Sequence, residues 1–138
     1  MKLQVYERRY SRAFAMASII VMNGSQKGDY YPLGYRTNVI GREETNPIQI
    51  LDERVSRKHL QISCEQGRQN YYALDMKSKH GVFINGRKIE TEITLVDGDQ
   101  IQIGDTVLLF TINDFTHRSS ALSHFKKVGE RIRTKLID

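Results

Sequence analysis

The sequence predicts an all-β protein, an antiparallel β-sandwich over residues 13–115 followed by a C-terminal α-helix. Three observations carry this expectation. Apolar residues alternate with period two at Leu60, Ile62 and Cys64, as in a strand that turns one face to a core. Turn signals recur between short apolar runs, the strongest being Asn85-Gly86, because both central residues of a type I′ hairpin turn need positive φ. Between 14 and 115 no stretch has a convincing helical period. Many short strands with frequent turns indicate a sandwich or barrel.

The elements follow in order. The apolar run 13–22 (AFAMASIIVM) ends at Asn23-Gly24 and reads as a strand, with Ile19–Met22 its clearest part. It follows basic residues as a signal peptide would, but it lacks a clean small-residue cleavage site. Asp29–Leu33 contains Pro32, which suits an edge strand because proline has no N–H for a ladder. Thr37–Ile40 ends at Gly41, and Ile48–Leu51 follows Asn46-Pro47. Leu60–Cys64 points Leu60, Ile62 and Cys64 inward, and Tyr71–Asp75 puts Tyr72 and Leu74 on one face. Val82–Ile84 and Arg87–Ile89 flank the Asn85-Gly86 turn. Asp97-Gly98-Asp99 leads into Gln100–Ile103, and Gly104-Asp105 into Val107–Ile112.

After Asn113 the period changes. Leu122, Phe125, Val128, Ile132 and Leu136 draw one stripe on a helix. Ser119 or Ser120 is placed to cap it. Gly129 inside it weakens it by up to about 1 kcal/mol relative to alanine, so packing is needed to hold it.

The chain has 138 residues and 39% apolar composition, enough for one domain with a real core. No run approaches the ~18 apolar residues of a membrane span. One cysteine, Cys64, excludes an intrachain disulfide and fits a reducing compartment, so a cytoplasmic location is expected. The net charge is +5, and its distribution is uneven. Residues 1–12 carry four basic groups against one acidic, and 116–138 carry six against two. The middle, 13–115, has eleven basic against thirteen acidic. The division is therefore a basic N-terminal extension (1–12), a slightly acidic sandwich (13–115) and a basic amphipathic helix (116–138).

Four fragments stand out. They are Val39-Ile40-Gly41-Arg42, Val55-Ser56-Arg57-Lys58-His59, the run from Leu74 to Gly86 (LDMKSKHGVFING), and the run from Leu95 to Gly104 (LVDGDQIQIG). Gly-Arg, Ser-x-x-His, Asp-x-x-Ser-x-x-Gly and Asn-Gly in this order and spacing resemble the forkhead-associated (FHA) domain, over about residues 15–113. The resemblance implies a sandwich of about eleven strands of the SMAD/FHA-like kind. Its loops at 41–47, 52–58 and 76–81 would meet at one end and bind phosphothreonine peptides.

The resemblance assigns Arg42 and Ser56 to the phosphate. A guanidinium matches phosphate oxygens bidentately, and a serine hydroxyl donates one hydrogen bond. Arg57 and Lys79 lie where family members often place a further contact. His80 stands where the family usually has Asn, whose planar amide contacts the peptide backbone. Neutral histidine offers one donor and one acceptor with different geometry. His59 is implied to brace the Ser56 loop rather than to serve Ser56 as a catalytic base. Gly41, Gly81 and Gly86 are expected to serve the backbone, where glycine turns cheaply, and Asn85 to be a hairpin residue. Arg42, Arg54, Arg57, Lys58, Lys77 and Lys79, six of the eleven core basic residues, all fall in these loops, an arrangement that would funnel a dianion inward.

No histidine or cysteine spacing suits a metal, and no nucleotide-cradling loop is present, so no cofactor is expected. The expectation is a non-catalytic phosphothreonine reader whose partner is a phosphorylated protein of a Ser/Thr kinase pathway. It would be a monomer, or a weak dimer through the C-terminal helix. A second reading is a degenerate FHA scaffold that binds a partner or itself without phosphate, motivated by His80 and the apolar stripe. A third is nucleic-acid or anionic-surface binding through the basic ends. It lacks a reading motif and aromatic interleaving, so no nucleic-acid partner is expected.

Overall fold

The computed structural model describes residues 15–65 and 70–114. Among the described residues eleven strands form two facing sheets: β1 (Ala15–Val21), β2 (Tyr30–Pro32), β3 (Asn38–Gly41), β4 (Ile48–Gln49), β5 (Leu60–Cys64), β6 (Tyr71–Asp75), β7 (Val82–Ile84), β8 (Arg87–Lys88), β9 (Ile93–Thr94), β10 (Gln100–Ile103) and β11 (Thr106–Asp114). One sheet has the order β2-β1-β11-β10-β7-β8, the other β4-β3-β5-β6-β9. The basic ends and the C-terminal helix expected from the sequence lie outside the described residues. Among the described residues no helix is long and apolar enough to cross a membrane.

The expected sandwich is present, with two differences. β3 and β4 pair in parallel, through Ile40 with Ile48 and Gly41 with Gln49, so the sandwich is not wholly antiparallel. β9 has no counterpart in the sequence reading. It is two residues long and exists as a strand because Thr94 and Ile93 pair with Tyr72 and Ala73. β2 is an edge strand, paired only to β1, with Pro32 opposite Ser18.

The core lies between the sheets. β1, β10 and β11 contribute Ile19, Ile101, Ile103, Leu108 and Phe110; β3, β5 and β6 contribute Ile40, Leu60, Ile62, Tyr71 and Ala73, all buried. Each large apolar side chain so buried contributes about 1.5–3 kcal/mol. On β5 Leu60 and Ile62 are buried, and Cys64 at the strand end is partly buried and packs against the same core. On β6 Tyr71 and Ala73 face the core, and Tyr72 and Leu74 lie on the outer, partly exposed side. Tyr71 meets Phe110 edge-on across the sheets, with ring centroids 5.6 Å apart, a preferred aromatic geometry. The Tyr71 hydroxyl donates to the Gly34 carbonyl at 2.7 Å, so its polar end is satisfied. Burial pushes its pKa up.

Register decides where the loops go. Ile40 pairs with Leu60, and Leu60 with Asp75. The end of β3, the start of β5 and the end of β6 therefore share one edge. Val82 pairs with Ile103 in the other sheet, which brings the start of β7 and the β10–β11 turn to the same pole.

Candidate functional site

Three loops meet at this pole: 41–47, 52–58 and 76–81. Hydrogen bonds sew them together. The Arg42 N–H donates to the Ser56 carbonyl at 3.0 Å, and the Glu43 N–H to the Arg57 carbonyl at 3.3 Å. The Arg42 side chain adds an Nε bond to the Val55 carbonyl at 3.0 Å. That bond fixes the plane of the guanidinium. Its two terminal NH₂ groups have no hydrogen-bond partner among the described residues, and Arg42 is exposed.

Ser56 joins the second loop to the third. Its Oγ accepts the backbone N–H of Lys79 at 3.0 Å. The oxygen is thereby used as an acceptor, and its own hydrogen is left to donate. Ser56 and Arg42 are also linked through the backbone, so both donors belong to one braced unit.

His59 is the brace beneath them, with 0% exposure. Its Nδ1 accepts the Ser56 N–H at 3.0 Å, and its Nε2 lies 2.7 Å from the Gly81 carbonyl. Accepting at Nδ1 makes the Nε2–H tautomer the one that satisfies both bonds. Burial lowers the His59 pKa, against a smaller opposing effect of the Gly81 hydrogen bond. Both ring nitrogens are committed to backbone, and the Ser56 hydroxyl is bonded elsewhere. The Ser-x-x-His spacing is therefore not a nucleophile and its base.

The third loop is shaped by its own side chains. Asp75 Oδ1 accepts the Ser78 N–H at 3.0 Å, and Ser78 Oγ accepts the Gly81 N–H at 2.9 Å. This chain of two local bonds accounts for the Asp-x-x-Ser-x-x-Gly spacing. Lys77 takes a positive φ of 54° between them. His80 sits between two pinned residues, half-buried, with no side-chain hydrogen bond among the described residues.

Gly41 has a different role from the turn expected of it. Its φ is not in the left-handed region, and a Cβ there would lie 2.1 Å from the Arg57 carbonyl oxygen. Glycine is required by the close approach of another backbone. At the hairpin, Asn85 and Gly86 have φ of 52° and 84°, the type I′ combination. The Asn85 amide also donates to Asp99 at 2.9 Å and accepts the Gln100 N–H at 3.0 Å. Asn85 and Gly86 thus lie on the β7–β8 hairpin, where the Asn85 side chain serves the fold.

The positive charge of the three loops faces solvent. Arg42, Arg54, Arg57, Lys58, Lys77 and Lys79 are all exposed, but Arg54 is drawn to Asp105, 3.8 Å away. Two supporting residues had no signal beyond turn propensity. Asn46 is buried and donates to the Arg57 carbonyl at 2.6 Å. Asp52 accepts the N–H of Arg54 and of Asp105 and the Thr106 hydroxyl, at 2.8–2.9 Å. Partial burial raises its pKa, but these hydrogen bonds outweigh that and hold it below the usual carboxylate value. It ties the second loop to the β10–β11 turn. No His, Cys, Asp or Glu cluster able to hold a metal occurs among the described residues.

Comparison with known proteins agrees with this geometry. The family model of the FHA domain matches residues 38–104. An FHA domain-containing protein of Arabidopsis thaliana is 30% identical over 129 residues, 87% of this chain and 32% of the relative. The transcriptional regulatory protein EmbR of Mycobacterium tuberculosis is 33% identical over 105 residues, 76% of this chain and 26% of the relative. The chain thus spans a third or less of these two relatives. The structure of EmbR in complex with a low affinity phosphopeptide superposes with TM-score 0.66 at 31% identity, covering 83% of this chain and 30% of that one. A structure from an analysis of phosphothreonine-dependent FHA domain interactions superposes with TM-score 0.64 at 28% identity, covering 71% of this chain and 97% of that one.

Proposed function

Because this chain belongs to the FHA family through residues 38–104, we propose that it is a non-catalytic reader of phosphothreonine peptides, mediating phosphorylation-dependent protein–protein interaction in Ser/Thr kinase signalling. The phosphate dianion sits at the meeting of the three loops. The Arg42 NH₂ groups and the Ser56 hydroxyl donate to its oxygens, with Arg57, Lys79 and His80 around it. Nothing is made or broken in this event, and the bound peptide leaves unchanged.

The observation that carries the reading is the pairing of pre-set donors. Arg42 is held by its Nε on the Val55 carbonyl, and Ser56 by the Lys79 N–H on its oxygen. Each keeps its outward donors for a ligand, so little ordering is lost on binding. Charge-assisted hydrogen bonds of this kind are the strong ones. The phosphopeptide bound by EmbR and the phosphothreonine dependence of the second FHA structure support the ligand class. The lone, half-buried Cys64 supports a reducing, cytoplasmic setting.

The test is fluorescence anisotropy with matched pools of threonine peptides, phosphorylated and unphosphorylated. Binding confined to the phosphorylated pool supports the reading. Equal binding to both pools would overturn it in favour of a scaffold that does not use phosphate.

A further inference from the structure

A basic residue outside the three loops is held against the site. Lys88 lies on β8 opposite Phe83, and the Asn85-Gly86 turn folds it back toward the start of β7. Its stem crosses Gly81. A Cβ built on Gly81 would meet Lys88 Cε at 2.8 Å, Cδ at 3.6 Å and Cγ at 3.7 Å. The methylenes therefore lie along bare backbone, and the ammonium, one bond beyond Cε, ends beside the 76–81 loop. Lys88 is exposed and has no carboxylate partner among the described residues, unlike Arg54.

The distance to the Ser56 hydroxyl is bounded by the chain. Lys79 N is 3.0 Å from Ser56 Oγ, and Gly81 is two residues further. Adding the lysine contact, the ammonium lies within about 18 Å of that hydroxyl, the span of roughly five residues of extended peptide. A lysine whose stem is already packed loses less freedom when its head meets an anion.

We propose that Lys88 reads a second anionic group on the same peptide, a carboxylate or a second phosphate a few residues from the phosphothreonine. This rests on the phosphopeptide reading above and names a ligand preference that reading leaves open. The test uses a phosphothreonine peptide with alanine flanks, into which aspartate or phosphoserine is walked through successive positions on either side. Each peptide is titrated by anisotropy against the full chain and against Lys88→Met, which keeps the stem over Gly81 without the charge. The wild-type chain is expected to gain roughly two- to five-fold at one acidic position, the size of an exposed ion pair. Lys88→Met loses that gain and keeps its affinity for the alanine-flanked peptide. A gain with phosphoserine alone assigns the group as phosphate, and a gain with both assigns it as either anion. No acidic preference, or one unchanged in Lys88→Met, overturns the proposal while phosphopeptide binding survives. A wild-type chain that binds no phosphopeptide removes both readings at once.

Discussion

The Ser56 hydroxyl oxygen accepts the backbone N–H of Lys79 at 3.0 Å, across 23 residues of chain. One small side chain thereby couples the second and third loops, and its own hydrogen is left to donate. Register supplies the rest of the closeness, since Ile40, Leu60 and Asp75 stand in one row across β3, β5 and β6.

Ser56→Ala removes both the acceptor for Lys79 and the outward donor. The Lys79 N–H is near solvent and finds water, so stability falls by only about 0.5–1 kcal/mol. Phosphopeptide binding loses a charge-assisted hydrogen bond, about 1.5 kcal/mol or roughly tenfold in Kd. Thermal melts and anisotropy on the same preparation check the two expectations separately. A large loss of Tm with unchanged affinity would place Ser56 in the fold alone.

Arg42 tests whether the fork of donors matters or only the charge. Its Nε is occupied by the Val55 carbonyl, a bond that lysine cannot reproduce together with two parallel outward donors. Arg42→Ala is expected to weaken phosphopeptide binding by about 2–3 kcal/mol, roughly 30- to 150-fold. Arg42→Lys should recover less than half of that loss in free energy. Full recovery by lysine in calorimetric titration would mean that a point charge is enough.

The contrast between these two residues and their supports shows what a sequence displays. Arg42 and Ser56 stand out because they belong to motifs with fixed spacing. Asp52 and Asn46 do not, because an acid or amide beside a turn reads as a turn former. Their partners are tertiary: Asp52 reaches Thr106, 54 positions away, and Asn46 reaches Arg57. The same division runs through the fold. Leu60–Cys64, Tyr71–Asp75, Val82–Ile84 and Gln100–Ile103 have the bounds that alternation and turns imply. Ile93–Thr94 is too short to carry a period, and its strand character comes from Tyr72 and Ala73 beside it. The parallel β3–β4 pair is likewise a matter of which neighbour is nearest, which no local pattern encodes. Lys88 has no sequence signal either, because its packing over Gly81 is a tertiary contact.

His59 makes stability depend on pH. Its folded-state pKa is lowered by burial, so below the ordinary histidine range the unfolded chain binds more protons than the folded one. Stability from this residue is therefore full above pH ~6.5 and is lost as pH falls through that value toward the folded pKa. Urea unfolding at successive pH values should show this decline. His59→Gln should flatten it and cost about 1–3 kcal/mol at neutral pH, because the Ser56 N–H or the Gly81 carbonyl loses its partner. A slope unchanged in the variant would assign the decline to other groups.

Gly41 and Gly86 separate two reasons for glycine. A Cβ at Gly41 would meet the Arg57 carbonyl oxygen at 2.1 Å and its carbon at 2.7 Å, both backbone atoms that cannot swing aside. Relief requires the 52–58 loop to move, which also displaces Ser56 and the carbonyl that holds Arg42. Gly41→Ala is expected to cost about 3 kcal/mol or more and to abolish phosphopeptide binding in whatever fraction remains folded. At Gly86 nothing lies within 4 Å of a built Cβ, and only the φ of 84° opposes a side chain. Gly86→Ala should therefore cost about 1–2 kcal/mol and leave phosphopeptide affinity unchanged, since the hairpin turn is not among the three loops. Chemical denaturation and anisotropy on both variants decide it. Equal losses of stability would show that steric approach at Gly41 is relieved by a local shift rather than by movement of the loop.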